Sequence, residues 1–406
     1  MASTARLAGL VIGAEIASMA GFASFAVTLP HLSGLWGLSP SNDGWISGAY
    51  YIGYVVAVPF LVGLSDWADA RWIYLCGCLI GTLSGVGFAW GAHDVMTASL
   101  YRILAGASLA GTYMPGLTLL TERLGPQARL RVIPYYTASF GIGVSLSFCG
   151  CSWLGRTLGW PAAFVAGSGG SAIAALLVLT ATAGWPPSET ATTRPASPVL
   201  DFRPVFSNRA ALGYIVAYGG HCWELFALRA WMLAFLAFVA SRNGGHPSGP
   251  TLDWWISAVV LSGVPASILG AELALAWGRG RLIRWAAWLS VATGIAAGLI
   301  TDWGFLPVLV LMFAYNVAVS ADSGALTTGA VAAARPGQQG ITLAMHSLIG
   351  FGGGTLGPIV VGLVLDVGGG LASPVAWAAA LVTMAAGSAI AGLAQRPTVA
   401  PPSIDL

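Results

Sequence analysis

Between residues 210 and 240 lies an apolar stretch whose centre reads Gly219-Gly220-His221-Cys222-Trp223-Glu224-Leu225-Phe226-Ala227-Leu228-Arg229-Ala230-Trp231. An imidazole, a carboxyl and a guanidinium sit where a membrane-spanning helix would place each central charge at a cost of about 2.5–3.5 kcal/mol on insertion scales. Such groups need partners or water. At about 100° per residue, His221 and Glu224 share one helix face, whereas Glu224 and Arg229 point about 140° apart. Arg229 is therefore expected to meet a carboxylate of another helix, Asp322 or Glu15, or an anionic substrate. A carboxyl in such a place can bind and release a proton, which a proton-coupled carrier needs, and Glu15, Glu224 and Asp322 are the three acids so placed. Permanent structural pairing is the alternative for each. Asn316, Ser320, Ser323 and Thr327 flank Asp322 at helical spacing and form a polar stripe that faces water or a partner helix. His346 could titrate, hydrogen-bond a substrate or be a satisfied structural histidine. Arg102 and Arg229 are the arginines deep in apolar stretches, and a guanidinium cannot be neutralised there by losing its proton.

The stretches that must position these groups are transmembrane helices. Of 406 residues, 56% are hydrophobic and 8% charged, a composition no ordinary soluble domain has. Apolar runs of about 20 residues recur throughout. Twelve spans are expected, at 7–29, 45–64, 72–91, 95–120, 132–154, 161–183, 210–240, 253–276, 283–301, 305–333, 341–365 and 374–394. Residues 1–183 form one six-helix half and 210–396 the other. A Pro/Ser/Thr-rich segment at 184–209 links them, and 397–406 is a tail. A cleaved leader is not expected, because the first span is too long, contains Glu15 and lacks a small-x-small exit.

All 17 basic residues are arginine. With the first residue cytoplasmic, Arg6, Arg71, Arg123, Arg129, Arg131, Arg194, Arg203, Arg209, Arg279, Arg281, Arg284, Arg335 and Arg396 fall on the cytoplasmic side, and only Arg156 and Arg242 fall outside. That bias orients both termini inward in a cell inner (plasma) membrane. The net charge of +2 carries no sign of nucleic-acid binding. Cys76/Cys78 and Cys149/Cys151 diverge by about 200° on their helices, so neither pair chelates a metal alone, and these residues, like Cys222, read as packing. The glycines from Gly350 to Gly357 before Pro358 read as a close helix contact with a hinge rather than a phosphate loop. Most of the 17 tryptophans lie near span ends as an interfacial belt, while Trp223 and Trp231 are deeper and could border a cavity.

At a constant offset of 209 residues, Glu15 falls on Glu224, Trp45 on Trp254, Gly141 on Gly350 and Gly143 on Gly352, the pattern of a duplicated six-helix unit. The loop Gly63-Leu64-Ser65-Asp66-Trp67-Ala68-Asp69-Ala70-Arg71 resembles the Gly-x-Leu-Ala-Asp-Arg-x-Gly-Arg-Arg loop of the major facilitator superfamily, with Asp66 at the family aspartate and Arg71 at a distal basic position. The second half keeps Gly278-Arg279 of that loop and has Leu275 at the aspartate. Arg102, Gly106 and Ala110 resemble the family's Arg-x-x-x-Gly-x-x-x-Ala pattern, and the fifth span lacks the Gly-Pro pair of its drug/proton antiporters.

The resemblance implies an all-α fold of twelve helices in two pseudo-symmetric halves. It implies a secondary transporter working by alternating access and a gating role for Asp66, Arg71 and Arg279. Arg102, with Glu15 and Glu224, would couple protons to the conformational change. Substrate contacts are expected from Glu15, His221, Glu224, Arg229, Asp322 and His346. The expected cargo is a small polar or charged organic solute moved with protons by a monomer. No cofactor, catalytic role or resident metal is expected. A divalent-metal or inorganic-anion carrier, a drug pump and a non-transporting sensor or assembly factor are the alternatives.

Overall fold

A computed structural model describes residues 2–65, 68–185, 202–245, 247–336 and 338–395. Asp66 therefore lies outside the described residues, as do Arg194, Arg396 and most of the linker. The helices are α1 (Ala2–Ser18), α2 (Ser24–Trp36), α3 (Pro40–Ser65), α4 (Ala70–Gly91), α5 (Val95–Arg123), α6 (Pro126–Thr157) and α7 (Trp160–Ala181) in the first half. After the short α8 (Arg203–Phe206) come α9 (Arg209–Arg242), α10 (Pro250–Trp277), α11 (Arg279–Leu299), α12 (Phe305–Ala321), α13 (Ser323–Ala333), α14 (Gln339–Val367) and α15 (Pro374–Ala394). Taking α1 with α2 and α12 with α13, they make twelve stretches long and apolar enough to cross a membrane, and no strand occurs among the described residues. The protein is a multi-pass membrane protein.

An even number of crossings returns the chain to the side on which it began. We call that side the terminal face and the other the distal face. Hydrogen bonds inside each helix satisfy the backbone where water is absent, so only interruptions need outside help. One interruption divides the first span, which was expected to be a single helix over 7–29 and instead continues to Trp36 as α1, a 3₁₀ turn at Met19–Gly21, and α2. Its freed backbone groups are met from α6: Ser147 Oγ donates to Ala20 O at 2.7 Å and accepts from Ala23 N at 3.0 Å. Cys151 Sγ also lies 3.1 Å from Ala20 O. A second interruption falls at Asp322, between α12 and α13. Turns use glycine where the backbone is left-handed, as at Gly278 (φ 85°), which joins α10 directly to α11.

The two halves are sewn together at the distal face. Along α3, Gly44 and Gly48 let the backbone of α14 approach so closely that a Cβ at Gly48 would lie 2.7 Å from Thr355 O. Ser41 beyond them donates through both its hydroxyl and its amide to Asp366. Across from this seam, α6 meets α10, where Ser145 Oγ donates to Ser257 O at 2.8 Å. Arg156 there grips Asp253 with two parallel bonds of 2.7 and 2.9 Å. The glycine run of α14 packs on α9, with Gly353 against Gly219 and Gly357 against Trp223, as its small residues imply.

Candidate functional site

The buried polar side chains comprise two separately held glutamates, a group of His221, Asp322 and His346, and two arginines. In the first half, Glu15 on α1 is fully buried and accepts from Tyr136 Oη of α6 at 3.1 Å, while the same hydroxyl bonds Tyr113 O at 2.7 Å. In the second half, Glu224 on α9 is equally buried but held from two sides. Tyr315 Oη of α12 donates to Oε1 at 2.8 Å, and Ser388 Oγ of α15 donates to Oε2. The two acids occupy matched places in the chain, yet their partners sit on helices that do not correspond. Neither acid forms an ion pair among the described residues.

One turn before Glu224, His221 Nδ1 approaches Asp322 Oδ1 to 2.8 Å without the alignment of a hydrogen bond, and its Nε2 lies 3.2 Å from Ser323 Oγ. Tyr218 stacks flat on His346, with centroids 3.8 Å apart, and lies nearly parallel to His221. Thr327 Oγ1 lies 3.4 Å from His346 Nε2. Thus His221, Asp322 and His346 form one cluster on the terminal side of α9, α13 and α14. The stripe beside Asp322 faces partner helices: Asn316 donates to Val259 O at 2.6 Å on α10, and Ser323 and Thr327 reach the two histidines. Among the described residues no group of three or more metal-ligand side chains converges.

Arg102 and Arg229 behave differently. The expected pairing of Arg229 with Asp322 or Glu15 is not seen, because Asp322 faces His221 and Glu15 faces Tyr136. Both guanidiniums are more than nine-tenths buried, and among the described residues neither has a hydrogen bond or ion pair. Arg102 lies over the faces of Tyr50 (4.5 Å) and Phe25 (5.7 Å). A cavity of about 50 Å³ opens beside it, lined in part by Ser24, Ser84, Ser108 and Ser171. Tyr51 stacks on Phe226 of the other half with centroids 4.4 Å apart, and Tyr54 stacks on Phe351 at 3.6 Å.

On the terminal face Asp69 caps α4 by accepting from Arg71 N at 2.9 Å, with the Arg71 and Arg123 guanidiniums 3.9 and 3.7 Å away. Among the described residues Asp69 is the acid beside Arg71. Its place just before an apolar run is that of a helix cap. Arg279 opens α11 without a hydrogen bond or ion pair among the described residues. Trp223 and Trp231 tie helices together, donating to Thr383 O at 3.0 Å and Pro358 O at 3.1 Å. All five cysteines are free. A cavity of about 860 Å³ lies at the distal ends of α2, α6, α9 and α10, with His31, Ser152, Arg156 and Ser241 on its wall.

Comparison with known proteins places this arrangement. A family model described as the Major Facilitator Superfamily matches residues 11–244. The niacin transporter NiaP of Acinetobacter baylyi is 26% identical over 132 residues, which are 32% of this chain and 30% of that protein. The arabinose-proton symporter of Bacillus subtilis is 28% identical over 144 residues, 36% of this chain and 30% of the symporter. The matched part thus spans less than a third of either relative. Among solved structures, a bacterial homologue of the human lysosomal transporter Spinster, in an inward-facing and unoccupied conformation, aligns with a TM-score of 0.75 at 15% identity, over 97% of this chain and 95% of its own. The nucleoside transporter NupG aligns with a TM-score of 0.69 at 18% identity, over 96% and 98% of the two chains. These similarities establish the twelve-helix fold.

Proposed function

Because this chain belongs to the major facilitator superfamily, we propose that it is a secondary active transporter that moves a small polar or charged organic solute together with protons by alternating access. One observation carries the reading: Glu224 is fully buried between three helices and is held by hydroxyl groups, with no cation paired to it among the described residues. A carboxyl satisfied in this way can take up and give back a proton without stranding a counter-charge, whereas one paired with arginine could not. Glu15, in the matching place, accepts from a single hydroxyl and serves as the second proton site. Alternating access would require the contacts that join the halves at the distal face to part and re-form. The arginine bias sets the terminal face toward the cytoplasm of a plasma membrane. The names of the relatives, a niacin carrier and an arabinose-proton symporter, agree with a small-solute cargo and with proton coupling.

Proteoliposomes carrying an imposed proton gradient and a panel of labelled solutes test the reading. Glu224→Gln is expected to abolish gradient-driven accumulation while sparing solute exchange, since the amide keeps the size but holds no labile proton. Full accumulation by that variant removes Glu224 from the mechanism. Reporters placed after Leu406 and within 184–208 are both expected on the cytoplasmic side, and an external signal from either overturns the orientation.

A further inference from the structure

Burying a cation without a partner is expensive, and a carrier keeps such a group only where something charged comes to it. Arg102 and Arg229 are two such groups, 7% and 8% exposed, each with a buried Nε that meets no acceptor. They come from different halves of the chain, on α5 and α9: Arg102 lies over Tyr50 of α3, and Arg229 stands one turn from Phe226, which stacks on the neighbouring Tyr51. The acids that could have neutralised them are committed elsewhere, Glu15 to Tyr136, Glu224 to Tyr315 and Ser388, and Asp322 to His221. Arg102 is partly compensated by the ring faces of Tyr50 and Phe25. Among the described residues no ring lies over Arg229, so a single negative charge is what the region lacks.

The surroundings specify more than charge. Phe226 stands one turn from Arg229 on α9 and stacks on Tyr51 of α3, so two flat faces from opposite halves meet where the halves must part. Phe351 of α14 lies within 6.2 Å of Tyr51 and stacks on Tyr54, which extends the aromatic wall. A planar ring entering between Tyr51 and Phe226 replaces one ring contact by two.

We propose that the solute is a small aromatic monocarboxylate, its carboxylate gripped by the planar fork of Arg229 and its ring held between Tyr51 and Phe226. The proposal rests on the transport reading above and assigns the class of its cargo. A guanidinium fork fits a carboxylate through two parallel hydrogen bonds, which an ammonium group cannot reproduce.

Equilibrium binding of labelled benzoate to the detergent-purified protein, without any gradient, separates this proposal from the transport reading. Unlabelled nicotinate should displace benzoate. Benzamide keeps the ring and lacks the charge, acetate keeps the charge and lacks the ring, and cyclohexanecarboxylate keeps charge and size without flat faces; each should compete at least tenfold more weakly. Arg229→Lys should weaken benzoate at least tenfold with an unshifted melting curve, and Tyr51→Leu should erase the preference for benzoate over cyclohexanecarboxylate. Equal competition by benzamide or by cyclohexanecarboxylate overturns the proposal, as does undiminished binding by Arg229→Lys. If benzoate does not bind while another solute is accumulated on a proton gradient, the cargo class falls and the transport reading stands. If benzoate binds with the stated selectivity and no gradient moves it, the site stands and the transport reading falls.

Discussion

Replacing Arg229 with methionine should make the protein more stable. The side chain is more than nine-tenths buried and has no hydrogen bond or ion pair among the described residues, so the folded state carries the desolvation cost of a cation with little return. After relaxation and water penetration that cost is still several kcal/mol per ion. Methionine keeps an unbranched, flexible stem that fills most of the same channel, and the misfit should cost less than about 1.5 kcal/mol. The net gain is then on the order of 1–3 kcal/mol. At roughly 2–4 °C per kcal/mol for units of 150–250 residues, the size of each half here, melting should rise by roughly 2–12 °C. Arg102→Met provides the control. The rings of Tyr50 and Phe25, 4.5 and 5.7 Å from its guanidinium carbon, return about 0.5–2 kcal/mol, so its replacement should gain less. Tryptophan fluorescence during thermal unfolding in detergent reads both variants. Breaking a genuine buried ion pair costs about 3–5 kcal/mol, so a fall in melting temperature for Arg229→Met would show a partner the geometry does not contain and refute the reasoning. A larger gain for Arg102→Met than for Arg229→Met would refute the ring argument alone.

Other expectations are open to direct measurement. Arg156→Gln removes the two-bond grip on Asp253; with the arginine 43% exposed, the stability loss should be only about 1 kcal/mol, but spin-label distances between the distal ends of α6 and α10 should lengthen and broaden. Unchanged distances would show that the glycine seam holds the face closed by itself. Tyr136→Phe strips Glu15 of its donor and Tyr113 O of a hydrogen bond, and should lower stability by about 1–3 kcal/mol in thermal unfolding, while a neutral result would mean water replaces the phenol. At the distal start of α5, the Thr97 hydroxyl and amide hold the exposed Asp94 carboxyl below its usual range. Its stabilising contribution is therefore present above the ordinary aspartate pKa and is lost as pH falls through the lowered value. Hydrogen exchange at the Thr97 amide should accelerate over that acidic window, and a pH-independent protection factor would contradict the capping account.

Much of the architecture is legible in the sequence because a membrane imposes a length on every apolar run. The expected spans at 95–120, 305–333 and 374–394 lie close to Val95–Arg123, Phe305–Ala333 and Pro374–Ala394. The broken first span was not legible, since what permits it lies on α6: Ser147 and Cys151 are more than 120 residues away and carry no local signal. The same limit applies at the site. Glu15, Glu224, Arg102 and Arg229 announce themselves by charge in an apolar context. Tyr136, Tyr315 and Ser388, which hold the acids, are ordinary residues in ordinary helices until the fold brings them round. Tyr51 and Tyr54 share one helix and drew no notice in the sequence, because the rings they stack on, Phe226 and Phe351, belong to the other half. Angular reasoning along one helix correctly separated Arg229 from Glu224. It had no power to say that every other acid would be occupied.

The glycine seam between α3 and α14 also bears on leakage. A protein that draws work from a proton gradient dissipates that gradient if a file of water ever threads it. At Gly44 and Gly48 the two backbones lie so close that even a methyl group would collide with the opposite chain. Liquid cannot wet a contact with no gap, and no side chain has to swing aside for it to form or part. The barrier to stray ions is thus built from missing atoms, and enlarging either residue would prop open a conduit where the membrane's electrical insulation depends on emptiness being absent.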